Sequence, residues 1–347
     1  MLLRDQGVSS MNETNRTPPR SLGRSGHTVG AIGLGCWAIG GAFSMDGRAD
    51  GWGDIDDAQS TRAIQLALDL GCTLFDTADA YGTGHSEAVL GAALGRRRPE
   101  VVIATKFGFT YDPATKSLGR IDVSPAYVEW ACRQSLDRLG TDYIDLYQIH
   151  PGELTKPEAD QAAEALERLA ERGLIRNWGW STDNAELAAR MLAFPHFVAI
   201  QQELSVFHDN PAMLALCERE QLASLNRSPL AMGLLTGKFS ATSALGASDV
   251  RGAGHAWVRF FHDGKPDPDA LARLAALREL LQTGGRSLAQ GALGWNLARS
   301  PQTIPVPGFK SEAQVRDNLG AIEKGPLPAG VMAEIASVLE RHAATAL

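Results

Sequence analysis

Leu74-Phe75-Asp76-Thr77-Ala78-Asp79-Ala80-Tyr81-Gly82 is the stretch that decides the fold of this chain. Entered through Cys72-Thr73, it begins as an apolar, strand-forming run and turns polar within two residues. Gly82, a turn former, follows. That is the pattern of a buried strand surfacing at its C-terminal end. The end carries a carboxylate, Asp76, and a phenol five residues on, Tyr81. Two similar runs come next: Val101-Val102-Ile103-Ala104-Thr105 ends at Lys106, and Tyr143-Ile144-Asp145-Leu146-Tyr147-Gln148-Ile149 ends at His150. Three successive strand ends thus deliver a carboxylate, a phenol, an ammonium and an imidazole. Alternating βα barrels keep their chemistry at the C-terminal ends of parallel strands.

Working outward, the same rhythm fills the chain. Ser21 to Ile32, with Gly23, Gly26 and Gly30, predicts a short hairpin. Ala31 to Trp37 reads as the first core strand, and a glycine-rich loop spans 39–53. Asp57 opens a helix with Ile64, Ala67 and Leu68 on one face, ended by Gly71. Strands are expected at 73–78, 101–106, 143–150, 174–180, 198–204 and 222–228. Helices are expected between them at 85–96, after Ser124-Pro125, and at 157–172, 184–194 and 211–219. Residues 237–266 break the rhythm and form an excursion too long for an ordinary connection, which marks it as functional. Helices 267–282 and 287–299, strand 303–307 and helices 311–321 and 329–343 complete the chain. Eight strands, each followed by a helix, imply a (β/α)8 TIM barrel with an N-terminal hairpin, a long late loop and extra C-terminal helices. A doubly wound open sheet is the alternative. It lacks support from any GxGxxG between a strand and a helix; Gly33-Leu34-Gly35 fails at the third glycine. Residues 1–20 read as a disordered leader, with Met11 a second candidate start, and 21–347 as one barrel domain.

The 347 residues are 44% hydrophobic and 21% charged, an ordinary globular composition with ample length for a large core. A net charge of −7 argues against a nucleic-acid partner. Cys36, Cys72, Cys132 and Cys217 show no CxxC spacing and read as thiols in a reducing compartment. No metal site is expected. No apolar window approaches the ~18 residues of a membrane span. There is no apolar segment behind a basic start, so no signal peptide is read and the cytoplasm is the expected location.

Five segments, in order, resemble the aldo-keto reductases: Phe75 to Gly82, Ala104-Thr105-Lys106, Asp145 to His150, Ser228-Pro229-Leu230-Ala231-Met232-Gly233-Leu234-Leu235-Thr236-Gly237-Lys238, and Ile304-Pro305-Val306-Pro307-Gly308-Phe309-Lys310. The resemblance runs from about residue 21 to about 322. It implies a barrel that binds an extended nicotinamide cofactor without a Rossmann domain. The four strand-end residues suit carbonyl reduction, which needs hydride at carbon and a proton at oxygen. A free tyrosine has a pKa of ~10, and a nearby cation makes it a stronger acid. Lys106 supplies that cation, and Asp76 holds and charges it. His150 orients the carbonyl oxygen and shares in proton transfer. Tyr81 is then the general acid, as the resemblance implies.

The resemblance also implies cofactor contacts. Gly35, Cys36 and Trp37 fall beside the nicotinamide ribose. Ser181, Thr182 and Gln201 fall at the carboxamide, with Gln202 as the neighbouring register. Ser228, Leu230, Gly233, Leu235 and Lys238 match the pyrophosphate loop, and Gly308, Phe309, Lys310, Gln314 and Asn318 the adenosine site. Arg227 stands where many relatives have an aromatic residue, and is open to stacking, to the pyrophosphate or to an acidic substrate. Thr182 replaces a common asparagine, Pro151-Gly152 a usual tryptophan, and Gln314 a common arginine. Lys310 and Ser311, at a helix N-terminus, favour NADPH over NADH. Trp52, Trp257, Phe260 and Phe261 are candidates for the substrate wall, with loop packing as their alternative role. The first functional reading is an NADPH-dependent reductase of aldehydes or ketones acting on small molecules, with oligomeric state open. A cofactor-binding regulatory subunit is the second. A Schiff-base lyase through Lys106 is the third, disfavoured because Asp76 would keep Lys106 protonated.

Overall fold

The computed structural model describes residues 16–345. Eight strands lie at its centre: Leu34–Gly35, Leu74–Asp76, Val102–Phe107, Ile144–Ile149, Ile175–Ser181, Phe197–Glu203, Ala223–Arg227 and Thr303–Pro305. They pair in chain order, and each pairing is parallel. Gly33 N–H donates to Pro305 O (3.0 Å) and Gly35 N–H to Pro307 O (2.9 Å), which joins the first strand to the eighth. The sheet is therefore a nearly closed barrel, and the open-sheet alternative falls.

The helices α1 (Asp57–Asp69), α2 (His85–Leu94), α3 (Pro125–Leu139), α4 (Lys156–Glu171), α5 (Ala185–Arg190), α6 (Pro211–Glu220), α7 (Pro268–Leu281), α8 (Leu288–Arg299), α9 (Glu312–Lys324) and α10 (Ala329–Thr345) follow the strands. Their starts are written locally. Asp56, Ser124, Thr155, Asn184, Asn210, Asp267, Ser287 and Ser311 each accept a backbone N–H of the first turn. Proline stands in the first turn of α3, α4, α6 and α7, where no donor is lost. None of the described helices is long and apolar enough to cross a membrane.

Side chains alternate between the barrel interior and the helix layer. Leu74, Ala104, Leu146, Ala199, Leu225 and Ile304 fill the interior, and Leu22 and Val29 close its floor. Those two belong to the expected hairpin, which pairs Arg20–Ser21 with Thr28–Val29. Gly23, at φ +55°, lets it press against the start of the sixth strand. A Cβ there would stand 2.0 Å from Val198 O. Two residues further up the strands, the interior row turns polar: Asp76, Lys106, Gln148 and Gln201.

Three regions differ from the sequence reading. Residues 1–15 of the expected leader lie outside the described residues, but 16–20 are packed. Thr17 N–H donates to Ile322 O (2.9 Å), and Arg16 pairs with Glu323 (3.2 Å). Loops 39–53 and 107–120 are not plain loops. Ser44–Met45, Arg48–Ala49, Phe109–Asp112 and Ser117–Ile121 form a second, four-stranded sheet beside the mouth. The excursion 237–266 is fastened to the first of these loops: Val250 N–H donates to Gly51 O (2.9 Å), and Trp52 bridges Asp249.

Candidate active site

The tetrad meets at the C-terminal mouth. Lys106 comes from the third strand and is fully buried. Its Nζ donates to Asp76 Oδ2 (2.7 Å), Thr77 O (2.8 Å) and Tyr81 OH (3.1 Å). His150 follows the fourth strand, anchored by its N–H to Phe107 O (2.8 Å). Its ring meets the Tyr81 ring edge-on, centroids 5.7 Å apart. Asp76 Oδ1 accepts Gln201 Nε2 (2.7 Å) and Gln148 Nε2 (3.2 Å). The carboxylate thus has three buried donors and no rotational freedom. Gln201, not Gln202, is the one that faces the cavity; Gln202 turns to Ser224 (2.8 Å).

Gln148 is a residue the sequence reading passed over. It is the register partner of Lys106 on the adjacent strand. Counting back by two from His150 reaches Gln148 and then the interior Leu146, so strand alternation was the available signal.

Backbone packing brings Tyr81 close to the first strand. Gly82, at φ +62°, sits against Gly40; a Cβ on it would be 1.9 Å from Gly40 O. The Trp37 ring can therefore lie on Tyr81, centroids 6.0 Å and planes 24° apart.

Ionisation follows from burial and pairing. Burial pulls the Lys106 ammonium down, but Asp76 and Tyr81 more than offset it, and its pKa stands above the lysine range. Burial raises the Tyr81 phenol; Lys106 opposes this and Asp76 adds to it. The Lys106 cation does not overcome the burial, so the phenol stands above its ordinary value. Burial, then Lys106 and Arg227, hold the His150 imidazole neutral, well below its usual range.

Tyr81 and His150 open into a cavity of about 730 Å³, within the range of ligand pockets. It runs from the tetrad past Ser228 and Leu230 to Gly308, Phe309, Gln314 and Asn318. Gly35, Trp37, Ser181, Gln201, Arg227, Gly233, Lys238 and Lys310 also line it. Three of the expected cofactor residues do not. Cys36 and Leu235 are fully buried in packing. Thr182 is turned to Gly152 O (2.7 Å) and, with Trp180 on Pro151 O (2.8 Å), braces the loop after His150. Trp52 and Trp257 line the cavity; Phe260 and Phe261 do not. Those two are buried against Phe207 and Phe239, as the core of the excursion.

The far arm of the cavity is cationic. Lys238, Arg251 and Lys310 line it, with Asp249 as their nearby carboxylate. Burial lowers both lysines, and Arg251 lowers them further. Such an arm is short of negative charge, which fits the phosphates of a dinucleotide. The segment after the seventh strand is strained: Ser228 (φ 52°), Ala231 (φ 48°) and Met232 (φ 54°) are left-handed without being glycine. Arg251 fixes this bend through Met232 O (3.0 Å) and stacks on Trp52 (4.5 Å). Nothing local in the sequence turns Arg251 inward. Arg227, in the place of the relatives' aromatic residue, is held by Asp183 and by Glu203 (3.5 Å). Glu312, at the start of α9, pairs with Arg62 on α1 (3.7 Å).

A buried carboxylate–lysine–phenol group beside a phosphate-ready arm is matched by comparison with known proteins. Residues 31–340 fit the model of the aldo/keto reductase family. The chain belongs to that family. Its enzymes are NAD(P)H-dependent oxidoreductases. The aldo-keto reductase yakc [NADP(+)] of Schizosaccharomyces pombe is 29% identical over 88% of this chain and 87% of its own. A probable voltage-gated potassium channel subunit beta of Oryza sativa subsp. japonica is 28% identical over 89% and 92%. Among solved structures, the holo form of aldo-keto reductase AKR11C1 from Bacillus halodurans superposes with a TM-score of 0.75. It has 30% identity, over 93% of this chain and 96% of that one.

Proposed function

We propose that this aldo/keto reductase reduces aldehyde or ketone carbonyls of small molecules to alcohols, reversibly, with NADPH preferred to NADH and with Tyr81 as proton donor. The observation that carries the reading is the single Lys106 ammonium, 2.7 Å from Asp76 and 3.1 Å from the Tyr81 hydroxyl. A bound nicotinamide would supply the hydride. Tyr81 keeps its proton in the free protein and gives it to the carbonyl oxygen. Lys106 then stabilises the phenolate left behind, and Asp76, fixed by Gln148 and Gln201, keeps Lys106 charged. Neutral His150 donates a hydrogen bond without competing as a second acid. Gly308, Phe309 and Asn318 would hold the adenosine end, and Lys310 with Arg251 the phosphates. The name of the yeast relative and the cationic arm both support NADPH. The four buried thiols stand free, which suits the reducing cytoplasm.

A second reading is a cofactor-binding regulatory subunit, favoured by the likeness to the channel subunit. A Schiff-base role for Lys106 is opposed by its raised pKa. The deciding experiment is steady-state NADPH oxidation across sugars, methylglyoxal-like dicarbonyls and aromatic aldehydes. Turnover with a member of the panel supports the reductase. Tight NADPH binding with no turnover would leave the regulatory reading in its place.

A further inference from the structure

Asp50 has no part in the chemistry above, yet it lines the same cavity as Tyr81 and His150. It lies in loop 39–53 and is only 8% exposed. Its backbone is pinned on both sides. The N–H donates to Phe43 O (2.9 Å), and its carbonyl accepts the Trp37 indole N–H (3.1 Å). The side chain, by contrast, has no donor. Oδ1 is buried and unpartnered. His255 Nε2 is 3.6 Å away, beyond hydrogen-bond reach, and is already committed to Ala49 O (2.8 Å).

A buried carboxyl without a donor is costly, and native structures rarely keep one without a use. Burial pushes Asp50 up to about 6, with His255 pulling it down and Asp46 pushing it up. At neutral pH it is thus mostly an ionised acceptor in want of a hydrogen bond. Its position says what would provide one. Trp37 lies between Asp50 and the Tyr81 ring, touching both. Phe43, Met45 and Trp257 complete an apolar wall beside it. A molecule whose carbonyl rests at Tyr81 would run along Trp37 and present its other end to Asp50.

We propose that Asp50 is a specificity-determining residue whose carboxylate accepts a hydroxyl of a hydroxylated carbonyl substrate, of the hydroxyaldehyde or short aldose class. This rests on the carbonyl-reductase reading and adds the substrate class to it. A hydroxyl is favoured over an ammonium by the surroundings. The Arg251 guanidinium already covers Trp52 (4.5 Å), and His255 Nε2 stands 3.6 Å from the Asp50 carboxylate. A hydroxyl satisfies the acceptor without bringing another ion into a desolvated site. A plain alkyl aldehyde leaves Asp50 unpaired, so the site discriminates against it.

The test compares kcat/KM for glyceraldehyde with that for propanal, the same three-carbon aldehyde with and without hydroxyls. It is run on the wild type, Asp50→Asn and Asp50→Leu. A hydrogen bond to a charged group is worth about 1.5–3 kcal/mol, so the ratio should fall roughly 10- to 100-fold in Asp50→Leu. Asp50→Asn should lie between, and it carries the test alone if the leucine variant does not fold. An unchanged ratio overturns the proposal. Equal losses on both substrates also overturn it, because Asp50 would then only support its loop. A fall confined to aminoacetaldehyde against propanal would overturn the hydroxyl class in favour of an ammonium. Wild-type turnover of propanal separates the two levels. If the wild type reduces no carbonyl of the wider panel, aldehyde or ketone, the reductase reading fails and takes this proposal with it; turnover of ketones but of neither aldehyde, or aldehyde turnover with an unmoved ratio, removes the Asp50 proposal alone.

Discussion

The two arms of the cavity are built on different principles. The tetrad arm stands on, or directly after, consecutive barrel strands: register sets Asp76 and Lys106, and short backbone contacts set Tyr81 and His150. Asp76 and Lys106 meet at 2.7 Å because their strands pair Asp76 with Ala104, two residues below Lys106. The cofactor arm stands on loops from distant parts of the chain. Lys310 Nζ reaches Trp52 O (2.6 Å) across 258 residues, and Arg251 stacks on that same tryptophan. The strand arm is pre-organised by the fold itself and suits chemistry. The loop arm is assembled by tertiary contacts that substitution can alter one at a time, and suits recognition.

If that division is right, strand-arm changes should strike turnover and loop-arm changes should strike selection. The largest effect is expected from Tyr81→Phe. Carbonyl reduction should fall by roughly 10²-fold or more while NADPH affinity, read by fluorescence titration, stays nearly constant. Equal turnover would remove Tyr81 from the acid role.

Next comes Lys310→Met. The ratio of kcat/KM for NADPH to that for NADH should drop roughly 10- to 100-fold, the value of one charge-assisted contact. Steady-state assays with both cofactors decide it. A ratio that does not move would leave the cofactor preference undecided and weaken the idea that the loop arm selects.

A smaller loss, about tenfold in kcat, is expected of Gln148→Leu, which removes one of the donors on Asp76 Oδ1. Gln148→Glu should not rescue it, since a second carboxylate would face Asp76. A pH–rate profile sharpens the point. A positioning role predicts that the pH–rate profile moves with the variant, whereas a purely structural role leaves the profile in place and lowers only the yield of folded protein.

The smallest effect belongs to Trp257→Ala, because Trp257 is 49% exposed and touches Trp37 only at a tilted 6.0 Å. A rise in aldehyde KM of about threefold, with kcat unchanged, is the expected outcome. A large fall in kcat would show that the loop arm shares in the chemistry and would blur the division.

The same division explains what could be read in advance. Each tetrad residue closes an apolar run or follows one within five positions, and alternation carries it inward, so eight strands and four catalytic candidates were visible in the chain. The sheet made of Ser44–Met45, Arg48–Ala49 and the 109–121 hairpin was not, because two-residue strands have no period and their partners lie some seventy residues on. Arg251 gives no local signal either; its inward turn depends on Asp249, Met232 O and three aromatic rings. Phe260 and Phe261 misled in the opposite sense. Aromatic residues in a long loop look like a substrate wall, but this excursion is large enough to need a core of its own. Thr182 was placed at the cofactor by motif alone, and its hydroxyl donates to Gly152 O (2.7 Å), a contact the sequence does not announce.

The hairpin that closes the barrel floor also decides where the protein can be handled. Leu22 and Val29 seal the end opposite the tetrad, and Arg16, the first described residue, pairs with Glu323 near the end of α9. A tag or a surface linker joined ahead of Arg16 would therefore hold the molecule by its closed end, with the reactive mouth turned outward. An immobilised preparation made that way should keep its full access to dissolved cofactor, whereas one tethered through a lysine of the mouth would be fastened across its own doorway.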